Sequence, residues 1–330
     1  MLKKSLFVMI IVVALISISF AGHVIDFDIR MKTNMAMNMD TELIMYYSLE
    51  KIRVDMKTSM SMESRSMPEG MEMPVMRMYF ICDFNDAYAY FVLPDKAGYT
   101  KIAYSELEEF FADMSPELPP QLVGMFGSPD DFTWKSDISA VDDETISGRE
   151  CHNKQGILEG VNKKIPDDKI RMTVEACLLP DSPLTRELYE INMKFEEITG
   201  IDQQNFLNDL SKFMPLFGEQ LIAFMEELIP KGSLGMRSKL KLETSGDVLS
   251  FKKLMGYDEN DSTTWQSYEM FENIYGAPAI SEDGMSLFMD MTMEAISIEK
   301  KDIDNSLFII PSDFLEIDDL KKAFTPDLNK

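Results

Sequence analysis

Strict period-two alternation near the start of the chain constrains its fold most. Ile25, Phe27, Ile29 and Met31 alternate with polar neighbours, and Met35, Met37 and Met39 continue the pattern. Successive side chains of a pleated strand point to opposite faces, so such a segment has one apolar face and one wet face. Residues 41–47 and 51–57 read as the next two strands, joined at Ser48-Leu49-Glu50; in the second, Ile52, Val54 and Met56 alternate with Arg53, Asp55 and Lys57. Strands are also expected at 76–82, 87–93, 99–102 and 132–135, and a hairpin over 149–160 and 169–179 around Lys164-Ile165-Pro166-Asp167. Clusters of Asp, Asn, Pro and Gly between these runs are turn formers.

The middle of the chain changes period. Ser182 is placed to cap a helix with Pro183 at its first position, running to Gly200. Asp202 is placed to cap a second helix, in which Phe206, Leu210, Phe213, Phe217, Leu221 and Phe224 fall at helical spacing. Ser105-x-x-Glu108 is a capping-box pattern that predicts a short helix to about Met114. Strand patterns return at 236–244, 248–255, 285–298 and 307–310. Strands, a helical insert over 182–230, then strands again point to one α+β domain over 22–330.

Residues 1–21 combine Lys3 and Lys4, an apolar run from Leu6 to Ile18, and Ser19-Phe20-Ala21 before Gly22. That is the pattern of a cleavable secretory signal peptide, and the run is short for a membrane span. The expected product is periplasmic or secreted, with no transmembrane anchor after cleavage. With 57 Asp+Glu against 32 Lys+Arg the net charge is −25, which argues against a nucleic-acid partner. Only 2 His are present, too few for most His-based metal or catalytic sites.

Four stretches carry a resemblance. The Met-rich opening, Lys51-Ile52-Arg53-Val54, Ile146-Ser147-Gly148-Arg149-Glu150-Cys151 and Leu307-Phe308-Ile309-Ile310-Pro311-Ser312-Asp313-Phe314 resemble uncharacterised exported bacterial proteins. These are similar in turn to the LolA-like lipoprotein carriers. The resemblance implies a curved antiparallel sheet, a half-barrel, closed by helices around a space for acyl chains. It also implies a lipid or a lipidated protein as partner.

The expected function is therefore non-enzymatic binding of a hydrophobic ligand between sheet and helices, with no cofactor. The candidate residues are Met35, Met37 and Met39 on the sheet, and Phe206, Leu210, Phe213, Phe217, Leu221 and Phe224 on the helices. Methionine is flexible and polarizable, which suits an adaptable apolar lining. The alternative is a soft-metal site, because Met-x-Met runs offer thioethers of the kind that prefer Cu(I). A third possibility is an interaction module with a filled core. Cys151 and Cys177 lie at similar distances from the hairpin turn, so a cross-strand disulfide is expected, leaving Cys82 as a buried thiol. Asp258, Asn260, Ser262 and Glu269 are spaced as in a calcium loop, but Thr263 stands where the sharp turn needs Gly, so a polar turn is expected there. Nucleophile-elbow, phosphate-loop and dinucleotide motifs are missing from the sequence.

Overall fold

The computed structural model describes residues 23–33, 37–62, 71–72, 75–107, 109–110, 128–201, 216–230, 233–246, 280–281 and 283–317, with backbone alone at 37, 62, 71, 72 and 188. The opening alternation becomes β1 (His23–Thr33), in which Ile25, Phe27, Ile29 and Met31 are buried and Arg30 and Lys32 are exposed. It is followed by β2 (Met37–Tyr47), β3 (Lys51–Met62), β4 (Met71–Glu72), β5 (Met76–Asp83), β6 (Tyr88–Leu93) and β7 (Gly98–Ala103). Then come β8 (Phe132–Ala140), β9 (Glu144–Ile146), β10 (Arg149–Asn162), β11 (Lys169–Leu178), β12 (Gly235–Ser245), β13 (Ser286–Lys300) and β14 (Leu315–Glu316). Two helices are described from end to end, α1 (Pro183–Thr199) and α2 (Glu219–Leu228).

All fourteen strands belong to one sheet, in the order β14-β7-β6-β5-β3-β2-β1-β13-β12-β11-β10-β8, with β4 beside β3 and β9 beside β10. Every pairing is antiparallel except β14 with β7. The sheet is two meanders fused at a seam. The seam is β1 against β13, paired from His23–Lys300 to Thr33–Met289 with a bulge at Asp26/Phe27. The extra residue is Ile296, which is exposed.

This architecture overturns the half-barrel closed by helices. The chain is a broad, mixed, predominantly β structure. The reason lies on the sheet's two faces. The core face gathers two apolar clusters, and among the described residues α1 and α2 each cover one patch of it. Ile191 and Phe195 of α1 join the larger cluster, which runs from β1 to β7 and into β13. Leu221, Phe224 and Leu228 of α2 join the smaller, with Leu158, Met172, Val174 and Leu242. The opposite face also needs cover over β5–β7, where Tyr79, Ile81 and Val92 pack under Phe308. The C-terminal segment provides that cover.

This strap corrects a further expectation. Residues 307–310 are not a strand; Asn305–Phe308 is a 3-10 turn capped by Asp304, whose carboxylate accepts from Ser306 N at 2.8 Å. Arg53 anchors it. Its guanidinium donates to the Leu307 carbonyl, lies 4.0 Å from the Tyr79 ring centroid, and bonds Asp55 at 3.0 Å. Burial raises the Asp55 carboxyl above its ordinary value while Arg53 pulls it down.

Other local signals act as their chemistry dictates. The Ser182 hydroxyl accepts from Thr185 N at 3.2 Å to start α1, and Gly200 ends it in a left-handed conformation. The expected helix from Ser105 opens with a 3-10 turn at Tyr104–Glu106 and is helical at 107, 109 and 110, while 108 and 111–127 lie outside the described residues. So do the strand expected at 248–255 and the calcium-like loop at 258–269.

A methionine-lined sheet face as the candidate site

Strand register, which alternation alone cannot give, brings methionines into rows. Leu240 stands opposite Met291, Met291 opposite Met31, Met31 opposite Met39, and Met39 opposite Met60. One row thus crosses five neighbouring strands, and four of its members are methionines. Directly opposed residues of antiparallel strands hold their Cβ atoms about 4.5–5.5 Å apart, so neighbouring thioethers are within contact reach. Met31 and Met39 are 2% and 1% exposed; Met60 and Met291 are each 8% exposed. The backbone places Met37 opposite Met62, and Met62 opposite Met71, one step further along the same strands.

The next row inward reads Met293, Ile29, Thr41, Thr58 and Met76. Its two threonines are buried and share a hydrogen bond of 3.0 Å between their hydroxyls, so the apolar face carries no unsatisfied hydroxyl there. Beyond it Ala295, Phe27, Leu43, Met56 and Met78 align, then Ile298, Ile25, Met45, Val54 and Phe80. Methionine content therefore rises toward one end of the face, while aromatic and branched side chains fill the other.

The expected ligand residues separate across this layout. Met39 lies in the row. Met37 is placed by backbone only, and Met35, Phe206, Leu210 and Phe213 lie outside the described residues. Phe217, Leu221 and Phe224 are buried in the smaller cluster, where Phe217 packs on Trp134 with ring centroids 5.3 Å apart. Met39 and these three do not share a cluster. Met60 and Met291 fall in the Met-x-Met runs at 60–62 and 289–293, whose spacing offers thioethers, but neither these runs nor Met31 reveal in sequence which strands they pair with.

Cys151 and Cys177 form a disulfide with a Cα separation of 5.4 Å. They are diagonal rather than directly opposed, because Cys177 pairs with Asn153. The Ile146–Cys151 stretch has a clear job beside it. Ser147 and Gly148 both have positive φ, 50° and 74°, as a two-residue primed turn requires between β9 and β10. The Ser147 hydroxyl lies 2.7 Å from the carbonyl oxygens of both Ala295 and Ile296, docking this hairpin on the β13 bulge.

Cys82 is fully buried, and its thiol donates to the Tyr104 hydroxyl at 3.3 Å, which itself donates to the Asp83 carbonyl at 2.6 Å. Burial pushes the thiol up to about 12, against the weaker pull of the Tyr104 hydrogen bond. A thiolate is the reactive form, so Cys82 should resist a disulfide reagent such as DTNB at pH 8 in the folded protein. One thiol should appear on denaturation; rapid labelling in the native state would contradict this placement.

The opposite face of β1–β3 holds a polar groove of about 590 Å³, lined by Asp28, Arg30, Lys32, Asp40, Glu42 and Lys57 among others. Its charges largely serve one another: Lys57 Nζ bonds both Glu42 oxygens at 2.9 and 3.0 Å, and Arg30 bonds Asp28. The same checkerboard continues along the sheet, with Lys239 to Glu175 at 3.2 Å and Arg171 to Glu159 at 2.9 Å. The exposed pairs Lys57–Glu42 and Arg30–Asp28 are of the kind worth little each, while Arg171–Glu159 and Lys239–Glu175 are half-buried. Among the described residues no group of three or more His, Cys, Asp or Glu is arranged to hold a metal ion, and no helix is long and apolar enough to cross a membrane.

No family model, curated protein or solved structure matches the chain. Two of the four short stretches singled out in the sequence meet in space, where the Arg53 guanidinium donates to the Leu307 carbonyl.

Proposed function

We propose that the protein is an exported, non-enzymatic binder of an apolar ligand, such as the acyl chain of a lipid or lipidated protein, held against the methionine-rich end of the core face. The observation that carries this reading is the row Met291, Met31, Met39 and Met60 across four neighbouring strands. Four unbranched, polarizable side chains, each within reach of the next and buried in the larger cluster, form a lining that can repack around chains of different form. Each methylene moved from water onto it contributes roughly 0.8 kcal/mol. Export is supported by residues 1–21 and by the disulfide, which persists in oxidising compartments.

The row also favours a second reading, Cu(I) binding, because it puts a thioether on each of four adjacent strands, each within reach of the next. One experiment separates the two. Native mass spectrometry of the purified protein, before and after incubation with phosphatidylethanolamine vesicles, should show discrete adducts that fragment to acyl lipids. Changing Met31, Met39, Met60 and Met291 together to Leu should keep those adducts, because volume and apolarity are conserved. Met60→Glu should lose them. A clean mass throughout would sink the lipid reading. Cu(I) uptake that vanishes in the Leu variant would establish the second.

A further inference from the structure

We infer that the β8 edge is a self-complementary surface on which a second copy of the chain pairs, joining two sheets into one. β8 ends the strand order and pairs on one side with β10; its other side has no strand partner among the described residues. Lys135, Ser136 and Asp137, at the strand's midpoint, are consecutive and all exposed. An exposed strand edge presents main-chain donors and acceptors ready for another strand.

The side chains specify which strand fits. Two copies pairing antiparallel in one continuous sheet are related by a two-fold axis normal to it, so residues equidistant from the axis face one another. With the axis beside Ser136, Lys135 of each copy faces Asp137 of the other. Trp134 then faces Ile138, Thr133 faces Ser139, and Phe132 faces Ala140. Opposite charges meet twice, and the partly buried Trp134 and Ile138 meet twice on the core face. Shifting the axis to Lys135 would set that lysine against its own copy; shifting it to Asp137 would set aspartate against aspartate. Charge thus selects one register and disfavours its immediate neighbours. This pairing is independent of what the methionine face binds.

Sedimentation velocity at about 150 mM salt tests it, since long-range repulsion between two acidic copies is then largely screened at a Debye length of about 8 Å. The unaltered protein should dimerise. Lys135→Asp should weaken the dimer on the order of tenfold or more, because each cross-strand ion pair becomes a like-charge pair. Combining Lys135→Asp with Asp137→Lys restores opposite charges across the axis and should restore the dimer. Circular dichroism of both variants should match the parent, since the exchanged side chains are exposed. A monomer at all concentrations would overturn the inference. So would a dimer indifferent to Lys135→Asp, or one that the double exchange fails to restore.

Discussion

Reducing the Cys151–Cys177 disulfide should cost the fold about 3.5 kcal/mol, the chain-entropy value for a closed loop of this size. The two cysteines are 26 residues apart, and the loop they close contains almost the whole β10–β11 hairpin. Without the bond, the unfolded chain regains the freedom that the loop removed. Both sulfur-bearing residues are buried in the larger cluster, so the freed thiols would still be packed and no new surface would be offered to solvent. The loss should therefore appear as a lower urea midpoint, with a steeper dependence on denaturant because the unfolded state is less compact. Urea unfolding with and without reductant, alongside a Cys151→Ser, Cys177→Ser double variant, measures it. An unchanged midpoint in both would mean that the hairpin contributes nothing to global stability.

Phe224→Ala should destabilise by about 3–5 kcal/mol, the range for removing a buried aromatic ring and leaving a cavity. The ring lies on Gly156 of β10, where an added Cβ would stand 2.7 Å from its Cε2 and Cζ atoms. Glycine is needed there for close approach between α2 and the sheet. Gly156→Val alone should therefore cost about 1–3 kcal/mol by overpacking. In the Phe224→Ala background the same valine enters the vacated space, so the double variant should be more stable than the sum of the two costs. Neighbouring residues that share a cavity commonly couple by about 0.5–3 kcal/mol. Strict additivity in a thermal or urea double-mutant cycle would show that helix and strand are not packed this way.

Much of the local structure is legible in the residues. Ile25 to Met31 and Ile52 to Met56 announce their strands, because one face is wet and the other buried. Ser182, Pro183 and Gly200 mark both ends of α1 through backbone chemistry that depends on no distant partner. The helical spacing of Leu221, Phe224 and Leu228 gives α2 its buried side. What periodicity omits is pairing. Nothing within residues 23–33 says that β1 lies against β13, so the methionine row could not be assembled beforehand. Residues 307–310 look like a strand because they are apolar, yet Asp304 caps a turn and the segment crosses a sheet face instead of joining it. Glu144, whose own segment gives no sign of it, pairs with Arg237 across 93 residues of sequence, and that ion pair together with its hydrogen bond from Asn153 holds its carboxyl below the ordinary range.

The β1–β13 seam has a consequence for the time course of folding. β1 needs, on one side, a partner finished only near residue 300. Until then β1 can pair with β2 alone, and its second edge stays available to any other extended chain. Closing a loop of that length adds only modestly to the entropic cost, since the cost grows with the logarithm of length. It does, however, raise contact order, and chains dominated by distant pairings fold slowly and spend longer exposed to aggregation. The final commitment to the native state is thus deferred until β13 has been made. A truncation before β13 should leave two half-sheets, each with a raw apolar flank and neither able to heal the other.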